Sequence, residues 1–110
     1  MKPELKIADQ AARRVPDAFA LVLAGSAKPI QLESLQVLAA RIEGLRNGRA
    51  LRLARAQTAW PGFDTFPVVN LYGWAEGETH ETFLACAWIG GQPVEVLQAA
   101  LRRAADAARA

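Results

Sequence analysis

The chain has 110 residues, enough for one hydrophobic core but not two, and its 52% apolar and 22% charged content argues against disorder. Thirteen basic residues (ten Arg, three Lys) against 11 acidic ones leave a net charge of +2, too small a field to imply nucleic acid by itself. A single cysteine, Cys86, excludes an intrachain disulfide, and the longest apolar run, Ala18 to Ala24, is far short of the ~20 residues that span a bilayer. The composition therefore reads as one cytoplasmic domain over residues 1–110, without a membrane partner.

Pro3 to Arg14 has the pattern of a short helix, with Leu5, Ala8, Ala11 and Ala12 at helical spacing. Val15-Pro16 ends it. Arg13-Arg14 ahead of an apolar run, with small residues at Ala24 to Ala27, also has the outline of a secretory signal. Pro16, Asp17, Glu4 and Asp9 weigh against that reading. Ala18 to Ala24 is readable as a buried strand or a buried helix. Its alanines and leucines, with Pro16 before it and Gly25 after it, favour the helix.

Gly25 to Ile30 is a loop. Gln31 to Arg46 is the clearest helix, because Leu32, Leu35, Leu38, Ile42 and Leu45 build one stripe. Asn47-Gly48 stops it. Ala50 to Thr58 alternates Leu51 and Leu53 with Arg52 and Ala54, and Trp60-Pro61-Gly62 breaks the chain after it. Phe66 to Trp74 and Thr79 to Ile89 are strand-like, joined by a turn at Ala75 to Glu78. An isolated hairpin is marginal in water, so Ala50 to Thr58 is expected as its third strand. Gly90-Gly91 ends the sheet. Pro93 opens a last helix with Val94, Leu97, Ala100, Leu101, Ala104 and Ala108 on its buried side.

The expected fold is α+β: N-terminal helices, a three-stranded antiparallel meander, and a C-terminal helix packed on the sheet. A turn centred on Glu76-Gly77 pairs Leu71 with Thr82, which puts Trp88 on the face of Leu71 and opposite Trp74.

No catalytic or metal constellation is visible. His80 and Cys86, six residues apart on one strand, would lie roughly 20 Å apart, too far to act as a pair. His80 reads as an exposed polar residue and Cys86 as a small buried hydrophobe. A metal site needs three or four convergent ligands, and one His, one Cys and scattered carboxylates do not supply them. Phosphate-binding glycine motifs are absent, and Gly90-Gly91 is explained by strand termination. The sequence implies no enzyme activity and no cofactor.

Two features point to partners. Arg46, Arg49, Arg52 and Arg55 recur every third residue, a polyanion or partner contact if helical but split between two faces if a strand. Phe83 to Ile89 is apolar on both faces, which requires cover on both sides or an interface built around Trp74, Phe83 and Trp88. The first expectation is a non-enzymatic protein-interaction or assembly module that self-associates through a sheet face or edge strand. Nucleic-acid binding through residues 46–55 is the alternative. A small-ligand regulatory domain with its pocket between sheet and helices is the second alternative.

Overall fold

The computed structural model describes residues 15–60 and 62–109. Five antiparallel strands and two helices follow one another as β1 (Phe19–Leu23), β2 (Ile30–Leu32), α1 (Leu35–Arg46), β3 (Ala50–Ala59), β4 (Thr65–Trp74), β5 (Thr82–Trp88) and α2 (Val94–Arg109). The strands form one sheet in the order β2-β1-β5-β4-β3. The class is α+β, but the three-stranded meander is overturned, since two further strands extend the sheet beyond β5. The helix expected at Pro3 to Arg14 lies outside the described residues.

The expected helix at Ala18 to Ala24 is a strand. The reason is β5: β4 satisfies the backbone groups along one of its edges, and β1 satisfies the other through pairs such as Leu21 with Ala87 and Val22 with Cys86. That pairing outweighs the weak helical preference of Ala and Leu. The next helix also begins later than its stripe suggests. Ile30–Leu32 pairs with β1, and Ser34 caps α1 by accepting a hydrogen bond from the Val37 N–H at 3.2 Å. Asn47, in the left-handed region at φ 49°, ends α1 as its sequence predicts.

The register between β4 and β5 departs from the expected one. Leu71 opposes Ala85 and Tyr72 opposes Phe83, so Leu84 is an extra residue in β5, a β-bulge. Leu71 therefore shares the face of Ala85 and Ala87, opposite Trp88, and Trp74 falls by alternation on the Tyr72 side with Trp88. Gly73 sits beside the bulge, where a Cβ would come within 2.8 Å of Leu84 Cδ1 and push the end of that side chain aside. Strand β5 starts at Thr82, which leaves His80 in the connection rather than on the strand.

Both faces of the sheet carry a core. On one, α1 and α2 lay Leu38, Ile42, Leu97 and Leu101 over Leu21, Leu71, Ala85 and Ala87. On the other, Trp60, Phe66, Val68, Cys86 and Trp88 pack together. Among the described residues, the second cover comes from the β3–β4 connection and not from a helix. Trp60 stacks edge-on against Phe66 at 4.9 Å, and Phe66 against Trp88 at 5.2 Å. The Trp88 indole donates to the Pro16 carbonyl at 3.1 Å, which ties the chain before β1 to the same face.

Candidate interaction surfaces

The two edges of the sheet differ in length. Strand β2 has three residues, whereas β3 has ten and, among the described residues, pairs only with β4, so its outer side presents a long row of N–H and C=O groups without a strand partner among them. Above β3 the helices leave an open groove of about 930 Å³. Its floor is Leu51 and Leu53, and its walls include Gly44 of α1 with Leu101 and Ala104 of α2. Leu51 and Leu53 are half-buried.

The four arginines expected as a contact surface are not brought together. Arg46, in the last turn of α1, grips Glu43 through Nη2 at 2.6 Å and Nε at 2.9 Å, and this bond raises its pKa further. Arg49 lays its aliphatic stem over Gly73. On β3, Arg52 opposes Tyr72 and Arg55 opposes Val69, so they point to opposite faces. Arg52 makes a two-pronged ion pair with Glu81, Nε to Oε2 at 2.6 Å and Nη2 to Oε1 at 2.9 Å, and lies 4.7 Å over the Tyr72 ring. The Glu81 hydrogen bond raises the pKa of Arg52, and in return lowers that of Glu81.

Of the three residues expected at an apolar interface, Trp88 is 8% exposed and belongs to the second core. Trp74 is half-buried at the end of β4. Phe83 is 39% exposed and meets Tyr72 edge-on at 5.7 Å. The doubly apolar β5 is thus explained by its central place in the sheet, with helices on one face and aromatic side chains on the other.

Cys86 is 6% exposed, and burial pushes its thiol up to about 11 against an opposing hydrogen bond with the Trp60 side chain. It is a neutral thiol at neutral pH, without the thiolate that nucleophilic chemistry needs. Among the described residues no group of three His, Cys, Asp or Glu side chains converges as a metal site, and no helix is long and apolar enough to cross a membrane.

Sequence reasoning placed Trp60 at a chain break, read Glu81 as one of the solvated carboxylates near the turn, and passed over Asn70. The spacing of Trp60, Phe63 and Phe66 around a Pro-Gly break was the available signal for an aromatic cover. A lone Asn inside Val68 to Leu71 was the signal for a polar group on a buried face. Compared with known proteins, the chain matches no family model, no curated protein and no solved structure.

Proposed function

We propose that the chain is a non-enzymatic assembly module that pairs with a second copy of itself through the outer edge of β3. The observation that carries this reading is the ten-residue edge strand with half-buried Leu51 and Leu53 beneath an open groove. Long edges of this kind recruit another strand unless charge, proline or a bulge blunts them. Of the two arginines on β3, Arg52 is matched by Glu81, and Arg55, near the middle of the strand, is exposed.

A two-fold axis makes the contact self-complementary and the strands antiparallel. Continuous faces across the dimer require residues of like parity to oppose each other. An axis at Arg52 would set two arginines face to face, which is unfavourable. An axis at Leu53 sets the two Leu53 side chains together, places Leu51 opposite Arg55, and joins the two grooves over one apolar floor.

Sedimentation velocity over a concentration series tests this reading. A dimer is expected at micromolar concentration, and Leu53→Lys is expected to return it to monomer while cooperative melting is retained. A wild-type chain that stays strictly monomeric at high concentration would remove the proposal.

A further inference from the structure

The sheet face away from the helices holds an open cleft of about 480 Å³ between the β1–β2 connection and the end of β3. Its size falls within the range of about 300–1,000 Å³ typical of small-molecule sites. Val22, Asn70 and Cys86 line it from the sheet, Trp60 and Phe83 supply aromatic surface, and no charged side chain among the described residues lines it.

Asn70 sets the chemistry. The register places it between Ala54 of β3 and Cys86 of β5, on the face shared with Val68 and Tyr72. Its side chain is half-buried and makes no hydrogen bond with another described residue. A primary amide offers two donors and an acceptor with two lone pairs, and the Asn70 amide, which is not sealed from solvent, is open to a ligand. Among the other polar lining groups, the Ser26 hydroxyl already accepts the Lys28 N–H at 3.2 Å, and Thr58 adds a further hydroxyl.

We propose that this cleft is a binding site for a small uncharged molecule with a flat apolar body and an amide-like edge, held by reciprocal hydrogen bonds to the Asn70 side chain and by contact with Trp60 and Phe83. An ionised ligand would give up its hydration without meeting a countercharge. Cys86 serves as neutral apolar lining. The site is independent of the β3 pairing proposed above, since it lies on the opposite face from the groove over Leu51 and Leu53.

Three ring compounds of similar size test the assignment by NMR titration of the whole chain: benzamide, toluene without the amide, and benzoate with a charge. Benzamide is expected to shift the Asn70 side-chain amide and the Trp60 indole resonances saturably. Toluene should bind about tenfold more weakly, the equivalent of one lost hydrogen bond of ordinary strength, and benzoate should produce no shift at these positions. Asn70→Leu should bring benzamide down to the affinity of toluene, and Phe83→Ser, at an exposed position, should weaken both. Absence of saturable benzamide shifts, benzoate binding equal to benzamide, or a benzamide preference that survives Asn70→Leu would each overturn the proposal. The wild-type comparison of the three compounds decides the matter even if a variant folds poorly.

Discussion

The two faces of the sheet are buried by different means. On one, α1 and α2 lay continuous aliphatic stripes across β1, β5 and β4. On the other, the cover is local: Trp60 and Phe63 of the β3–β4 connection, with Phe66 at the start of β4, close over Trp88 and Cys86, while further along the same face Tyr72 is half-buried and Phe83 is exposed. Helical cover spreads burial over many side chains, each replaceable at moderate cost. Aromatic cover concentrates it in a few large rings, and leaves the rest of the face free to bind.

That contrast can be broken by removing one side chain from each cover. Trp60→Ala should have the largest effect, a loss of about 3–5 kcal/mol in denaturant melts, because it deletes the ring that meets both Phe66 and Cys86. The same variant should make Cys86 react with a thiol reagent in the native state. Leu97→Ala, which empties the helix-side core, should cost about 2–5 kcal/mol yet leave Cys86 slow to react. If Leu97→Ala exposed Cys86 as much as Trp60→Ala did, the two faces would not be separately covered.

Smaller changes sharpen the picture. Trp88→Phe keeps most of the ring but removes the indole bond to the Pro16 carbonyl, for an expected loss of about 0.5–1.5 kcal/mol. The thiol adds a pH signature. Because the folded pKa of Cys86 is raised to about 11, its stabilising contribution is complete below the ordinary thiol range and is lost as pH rises through about 11. Cys86→Ala should abolish that alkaline component. Glu81 has the opposite sign: its lowered folded pKa places the ion-pair contribution above the usual carboxylate range, lost as pH falls through it. Arg52→Gln, at an exposed pair, should change melting least of all.

The helix-covered side was more legible in the sequence than the other. Period-3.6 stripes in Leu35 to Leu45 and Val94 to Ala104 announce helices and name their buried residues directly. Strand β3 was reached only indirectly, by asking what a lone hairpin needs. Strand β1 was missed because a short Ala- and Leu-rich run takes its state from the partner it meets, and that partner, β5, lies more than sixty residues away. The Leu84 bulge was invisible for a similar reason. A one-residue slip reverses which side chains share a face, and nothing local marks Leu84 as the extra residue. The arginine spacing suggested a patch only under a helical reading; the strand sends Arg52 and Arg55 to opposite faces, as alternation requires.

The β3 edge is tested most directly by amide hydrogen exchange along Ala50–Ala59 at two protein concentrations. In an antiparallel edge strand, alternate amides bond to the neighbour and the rest face outward. Self-pairing predicts that the outward set slows sharply as concentration rises through dimerisation, while the set bonded to β4 keeps its rates. Outward amides that exchange equally fast at both concentrations would contradict it.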